Sequence, residues 1–154
     1  MLQSLFVLLK ATSEYYKTGH WQSKNTVYYA DHQLLDRLYS ESYSRLDQIA
    51  EKIIGTSGNL AALNLNEIIK KEYEIVKSLP YTPEENTIFF QTGLGLEQKI
   101  LELCKVIDSA PESTVGIRNM IGDIADESES RVYLLKQRLN KKAEAPAMSI
   151  PPKK

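Results

Sequence analysis

Apolar residues recur every three or four positions over most of this chain, and this spacing constrains its fold more than any other feature. Residues at this spacing lie on one face of an α-helix. No segment of any length alternates between apolar and polar residues as a half-buried strand does. The pattern therefore predicts an all-α fold, an antiparallel bundle of four long helices with one short extra helix between the second and third. The stripe of the second long helix includes Leu35, Leu38, Leu46, Ile49 and Ile53.

Glycine and capping residues predict the ends of the first three helices. The first helix is expected from about residue 2 to residue 19, with room to extend toward residue 26. The second is expected as one continuous helix from about residue 27 to Gly55, just before Gly58. The short helix is expected to begin at Asn64, which has capping-box spacing with Glu67, and to end near residue 79.

Proline-containing start signals predict the last two helices. The segment Thr82-Pro83-Glu84-Glu85 predicts a helix that begins with Thr82 as the N-cap and ends near residue 108. The segment Ser109-Ala110-Pro111-Glu112 predicts the start of the last helix, which is expected to end near residue 140. Gly93 and Gly95 lie inside the first of these helices and indicate that a neighbouring backbone packs closely there.

Length, charge and cysteine content narrow the class of protein. The chain has 154 residues and a formal net charge of -1, which fits one soluble domain without a global basic field for nucleic acid. Cys104 is the single cysteine, so a disulfide framework within the chain and a four-thiolate metal site are excluded. Residues 1–9 have the pattern of an amphipathic helix rather than of a signal peptide. With no apolar run long enough for a membrane span, we expect a cytoplasmic protein.

The last residues differ from the rest of the chain. Residues 1–140 are expected to form the helical domain and residues 141–154 a disordered tail, because Pro146, Pro151 and Pro152 prevent a stable helix and little apolar surface is present. The lysines of this tail would form a modest basic surface when repeated in an assembly. We therefore expect at most weak, salt-sensitive binding to DNA. These lysines are Lys141, Lys142, Lys153 and Lys154.

Five residues with suitable spacing form a candidate metal site: His20, His32, Asp36, Asp47 and Glu51. His32 and Asp36 are four residues apart and share one helix face, as do Asp47 and Glu51. Imidazole and carboxylate together suit iron, zinc or manganese. Two carboxylates at this spacing are also common on the solvated face of a helix, and a lone histidine is often a surface residue. Both interpretations stay open from the spacing alone.

The distance between His32 and Asp47 implies a second chain. On one straight helix they would be about 22 Å apart along the axis and only about 60° apart around it. They therefore cannot bind the same ion within one chain, although they point in similar directions. A second copy of the helix, packed antiparallel about a two-fold axis, would bring His32 of one chain near Asp47 of the other. Such a contact would create two identical sites.

The motifs around these residues resemble those of the Dps family, the mini-ferritins. The resemblance lies in the His20-Trp21 pair, a second histidine twelve positions later at His32, and the acids Asp47 and Glu51 at the family's spacing. Asp36 matches an acid that the family places near the second histidine. The segment around Glu129 and Tyr133 is similar to the family's C-terminal run, with tyrosine in place of tryptophan and Ser130 in place of lysine. The resemblance extends over about residues 2–140.

The resemblance implies a ferritin-like four-helix bundle that assembles as a hollow dodecamer and oxidises Fe²⁺ between subunits. It implies that His20 and His32 of one subunit, with Asp36 nearby, bind iron together with Asp47 and Glu51 of the partner. Hydrogen peroxide is the expected oxidant, and ferric iron would be stored inside. In this family the tryptophan packs beside the site and intercepts radicals. Here Trp21 is equally consistent with ordinary packing. The tyrosines, among them Tyr39 and Tyr43, fit packing at helix interfaces better than a role as electron donors.

The sequence departs from the family in two places. Val115, Gly116 and Asn119 lie near the positions at which family members carry pore-lining acids, and the lysine-rich N-terminal tail of many members has no counterpart. The chain also has no Glu-x-x-His motif, which argues against a di-iron site within one bundle. Two alternatives stay open: a non-catalytic protein that coats or compacts DNA, and a shell that binds another metal such as zinc.

Overall fold

The computed structural model describes residues 1–25, 27–82 and 85–140, and in this part of the chain it is all-helical, as predicted. It contains six α-helices and one 3₁₀ helix. They are α1 (Leu2–Gln22), α2 (Tyr28–Ser44), α3 (Leu46–Ser57), the 3₁₀ helix (Leu60–Leu63), α4 (Leu65–Val76), α5 (Asn86–Asp108) and α6 (Val115–Leu139). Among these helices none is both long and apolar enough to cross a membrane. The predicted tail, with its four lysines, lies outside the described residues.

Side-chain contacts along α6 define the direction of its neighbours. Asp31 in α2 binds Arg138, Arg45 after α2 binds Glu127, and Lys52 in α3 lies beside Gly116 at the start of α6. Residue numbers thus rise along α2 and α3 while they fall along α6, so these segments are antiparallel. Helix α5 also packs against α6, and α1 packs against α2, α3 and α5.

Helix α4 and its flanking segments cross the molecule along α1. Gln3 near the start of α1 donates to the Ala62 carbonyl, and Lys10 pairs with Glu72 farther along. Near the end of α1, Tyr15 donates to the Pro80 carbonyl. The connection between α3 and α5 therefore runs the length of the bundle, which brings the start of α5 to the end of the molecule where α1 ends and α2 begins.

A polar network lies in the middle of the apolar core. Glu97 on α5 and Arg131 on α6 are both buried and form an ion pair, with 2.9 Å between Glu97 Oε1 and Arg131 Nε. The same carboxylate accepts hydrogen bonds from the Tyr16 hydroxyl at 2.9 Å and from the Ser128 hydroxyl at 2.6 Å. A buried carboxylate needs partners of this kind to offset the hydration that it loses. The network thus fixes the positions of α1, α5 and α6 relative to one another.

The predicted second helix is in fact two helices. The structure interrupts it at Arg45, which separates α2 from α3. The Ser44 hydroxyl donates to the Glu41 carbonyl, a type of back-bond that competes with helical hydrogen bonding and bends helices. The Arg45 side chain binds Glu127 and Gln48. The angular relation of about 60° between His32 and Asp47, which assumed one continuous helix, therefore does not carry across Arg45.

Two predicted helix starts are wrong, and one is confirmed. Helix α5 begins at Asn86 with Glu85 as the N-cap, rather than at Thr82; Pro83 and Glu84 lie outside the described residues. Helix α6 begins after Thr114, whose hydroxyl accepts from the Ile117 amide, rather than at Ser109. Asn64 does cap α4, because its side chain accepts from the amides of residues 66 and 67.

The two glycines of α5 also differ from expectation. A Cβ on Gly93 would lie 2.5 Å from the Tyr16 ring, so an aromatic side chain, not a neighbouring backbone, requires the glycine there. A Cβ on Gly95 would meet no atom within 4 Å. Helix α1 continues to Gln22, three residues beyond the expected end, and α4 ends at Val76, three residues before its expected end.

Candidate metal centre

The structure brings His20 and His32 together where the end of α1 meets the start of α2. Their rings are stacked, with centroids 3.8 Å apart and an angle of 23° between the planes. The two residues also bind each other's backbone. His20 Nδ1 lies 3.0 Å from the His32 carbonyl oxygen, and His32 Nδ1 lies 2.9 Å from the His20 carbonyl oxygen. Two residues that are twelve positions apart in the sequence thus form one rigid pair.

These reciprocal bonds determine the tautomer of each ring. A carbonyl oxygen can only accept, so each Nδ1 must carry the proton and donate it. In a neutral imidazole the proton on Nδ1 leaves Nε2 with a free lone pair, and a metal-binding histidine is usually oriented by a bond of this kind from its other nitrogen. Each ring, when neutral, is therefore held in the tautomer that leaves Nε2 as a ligand.

Asp36 and Tyr28 flank the histidine pair. Asp36 Oδ1 lies 3.9 Å from His20 Nδ1, and about half of the Asp36 side chain is exposed. Because that Nδ1 already donates to a carbonyl, the Asp36 carboxylate is free to bind a cation. Tyr28 stacks on His32, with ring centroids 5.1 Å apart. The pair is thus restrained by an aromatic ring and has one carboxylate nearby.

Trp21, which directly follows His20 in the sequence, lies on the surface of the protein. Its side chain is 66% exposed, so it is not a core residue. The Lys17 ammonium lies 5.3 Å from the centroid of the Trp21 ring and 5.1 Å from that of the Tyr39 ring. Tyr39 in turn packs against Tyr43, with centroids 5.8 Å apart. These contacts restrain the indole by a cation–π interaction.

The structure does not bring Asp47 and Glu51 to the histidines. Both carboxylates are exposed and lie on one face of α3. The ion pairs among the described residues are formed by other carboxylates. Glu51 borders an open depression of about 440 Å³ with an almost wholly apolar wall, formed with Ala50, Ile54, Gly55 and Leu63. The Glu51 carboxylate thus lies beside an uncovered apolar surface, and Asp47 lies one turn earlier on the same face of α3.

Contacts with α6 give the separation of the two half-sites. The residue before His32 pairs with Arg138, whereas Asp47 follows Arg45, which pairs with Glu127, eleven residues earlier on α6. Eleven helical residues span about 16 Å, and Asp47 lies farther still from the histidine end. Among the described residues no three or more potential metal-binding side chains come together.

Asp31, which directly precedes His32 and is not among the five candidate residues, is fully buried. Asp31 accepts a bidentate pair of hydrogen bonds from Arg138, at 2.5 Å from Nε and 2.8 Å from Nη2. The helical spacing contained the signal, because Asp31 is four residues before Leu35 and seven before Leu38, both buried. An acid on the core stripe of a helix predicts a buried basic partner.

Comparison of the chain with known protein families, curated proteins and solved structures finds no match.

Proposed function

We propose that this chain is a mini-ferritin of the Dps type, a ferroxidase that oxidises Fe²⁺ with hydrogen peroxide at sites between subunits and stores the ferric product in a hollow dodecamer. The observation that carries the proposal is the histidine pair. The two rings are stacked and both Nδ1 atoms are bound by backbone carbonyls, so both Nε2 atoms stay available as ligands on one rigid pair. Imidazole nitrogen is a suitable ligand for divalent iron.

A partner subunit supplies the missing carboxylates in this proposal. Asp47 and Glu51 lie too far from His20 and His32 to bind the same ion within one chain. An isologous contact about a two-fold axis pairs each histidine half-site with the acidic half-site of the other chain. The apolar depression beside Glu51 and the exposed apolar stripe of α4 (Leu65, Ile69, Tyr73 and Val76) are surfaces that such a contact would bury.

The path of the chain supports a ferritin-like four-helix bundle. Its long helical segments are α1, α2 with α3, α5 and α6, and neighbouring segments are antiparallel where contacts define their direction. The connection from α3 to α5 crosses the length of the molecule. One long crossover of this kind is a feature of ferritin-like bundles, whereas up-down bundles have only short loops.

The reaction transfers two electrons from two Fe²⁺ ions to one peroxide molecule. The O–O bond breaks, two protons are taken up, and two Fe³⁺ ions and two water molecules form. In the proposed site the imidazoles hold Fe²⁺ while Asp47 and Glu51 of the partner favour the harder ferric product. Fewer protein ligands than an ion can accept leave a position at which peroxide can bind.

Anaerobic loading with Fe²⁺ followed by one half-equivalent of peroxide tests the proposal. We expect rapid formation of ferric absorbance, two Fe²⁺ oxidised per peroxide, and no release of hydroxyl radicals to a spin trap. Light scattering on the same sample should give a closed assembly far larger than the 17.5 kDa chain. A stable monomer at micromolar concentration, or oxidation no faster than in buffer, would contradict both the site and its function.

A further inference from the structure

A buried ion pair lies next to the histidine pair. The Asp31 carboxylate is fully buried and accepts two hydrogen bonds from the Arg138 guanidinium, and the Arg138 side chain is only 15% exposed. The amide nitrogen of Asn86 lies 3.3 Å from the same carboxylate. Arg138 also lies over the Phe90 ring, 4.8 Å from its centroid. Side chains from α2, α5 and α6 thus meet at the carboxylate that directly precedes His32.

These contacts fix the start of α2, which has no cap of its own. Val27 is the N-cap of α2 and makes no capping hydrogen bond through its side chain. The first turn of the helix is instead anchored by Asp31, an acid whose charge is favourable near a helix N-terminus. Asn86 donates a second hydrogen bond, at 2.9 Å, to the Lys24 carbonyl in the connection between α1 and α2. One set of side chains therefore holds both the start of α2 and the connection that precedes it.

The alignment of the histidines depends on these two segments. Each histidine donates to the carbonyl of the other, so both bonds require the end of α1 and the first turn of α2 to keep their relative position. A shift of about 1 Å that moved α2 away from α1 would lengthen both bonds beyond hydrogen-bond distance. Either ring could then turn or change tautomer, and the stacked arrangement that keeps both Nε2 atoms available as ligands would be lost.

The ion pair of Glu97 and Arg131 provides an internal comparison. It is even more deeply buried, with side-chain exposures of 0% and 1%, and it joins α5 to α6 in the middle of the core. Its hydrogen bonds involve Tyr16 and Ser128 but neither histidine. A buried ion pair is by itself weak evidence for a gain in stability. The two pairs are chemically alike and differ in what they hold in place.

We propose that Asp31 and Arg138 form a positioning pair for the histidine half-site, which keeps both imidazoles aligned for a divalent cation. The inference rests on the proposed metal-binding function and assigns it two further residues, neither of which touches the ion. Loss of an outer partner that orients metal ligands commonly weakens metal binding about 10- to 100-fold. The forked shape of the Arg138 guanidinium is essential to this role, because a lysine at this position would keep the charge but could not make the bidentate contact.

Cobalt binding by the full-length, assembled protein tests the pair. Co²⁺ is stable in air and gives visible absorption bands when nitrogen and oxygen ligands surround it. We expect R138K to raise the Kd for Co²⁺ by about tenfold or more, whereas the matched control R131K changes it by less than about twofold. Nitrogen NMR of metal-free protein should show the Nδ1-protonated tautomer at both histidines in the wild type and R131K, and a mixture of tautomers in R138K.

A second pair of variants keeps the test valid if a single substitution prevents folding. The double variant D31N/R138Q leaves no unpaired buried charge and loses the bidentate fork, so it should show the same weak Co²⁺ binding and mixed tautomers as R138K. Its control is E97Q/R131Q. Wild-type affinity and tautomers in R138K or D31N/R138Q would overturn the positioning role, as would equal losses in the controls. If the wild type binds no Co²⁺, the proposed function fails, and the tautomer signals still decide the positioning role.

Discussion

The two half-sites of the proposed metal centre differ in how completely one chain organises them. His20 and His32 are partly buried, stacked on each other and bound through both Nδ1 atoms. Asp47 and Glu51 are exposed, and ion pairs among the described residues do not include them. A site that needs all four residues therefore has one half that is ready in the single chain and one half that only a neighbour can bring to it.

This difference indicates which half depends on assembly. A free carboxylate in water has many rotamers, and holding it near a cation costs side-chain entropy. Burial of the apolar depression beside Glu51 by a second subunit would restrict that side chain at the same time as it brings the histidines close. Oligomer formation and metal binding should therefore be coupled, with each favouring the other.

The largest expected effect is the loss of fast iron oxidation when the acidic half-site is neutralised. D47N/E51Q keeps side-chain volume and removes two anionic ligands, so peroxide-driven oxidation should fall to near the uncatalysed rate. The assembly should persist, because neither residue contributes much apolar area. Stopped-flow ferric absorbance measures the oxidation rate, and light scattering measures the size of the assembly.

The control E74Q/E102Q neutralises two exposed acids on α4 and α5, and it should oxidise iron like the wild type. Wild-type oxidation rates in D47N/E51Q would show that Asp47 and Glu51 do not belong to the site.

A smaller effect should appear in the stability of the metal-free protein. H32F keeps an aromatic ring between Tyr28 and His20 but leaves the His20 carbonyl without its donor, which should cost about 1–2 kcal/mol in the free energy of unfolding. D47N/E51Q changes solvated side chains and should stay within about 0.5 kcal/mol of the wild type. Urea titration at one fixed protein concentration gives both values. Equal losses in the two variants would mean that the acidic half-site is also structured within one chain.

Sequence reasoning was sufficient for the all-α fold and for the Asn64 cap of α4, because both depend on local spacing. The start of α6 was wrong for a reason that lies in tertiary contacts. The Ser113 hydroxyl donates to the Ile107 carbonyl near the end of α5. Thr114 then caps α6, because its hydroxyl accepts from the Ile117 amide. The start of α5 was wrong for a similar reason. The side chain of its first residue, Asn86, is used to bind the α1–α2 connection.

The candidate site was predictable in part. The sequence placed His32 on the second helix and His20 just beyond the expected end of the first. Their reciprocal backbone bonds depend on the conformation of the connection between α1 and α2, which spacing does not determine. Asp31 was not singled out as a functional residue, because an acid beside a histidine on the polar face of a helix is usually solvated. Its position on the same stripe as Leu35 and Leu38 gave the opposite indication, and Arg138, 107 residues away, supplies the partner.

Mixed assemblies test the two-chain site most directly. A variant with H20A/H32A and a variant with D47N/E51Q should each be inactive alone, because each destroys every site. When the two are co-assembled in equal amounts, a heterodimer contact contains one site with both wild-type halves, so about a quarter of all sites should be intact. We predict that peroxide-driven oxidation returns to about a quarter of the wild-type rate in mixed assemblies. Mixed assemblies of normal size that stay as inactive as their parents would contradict the intersubunit site.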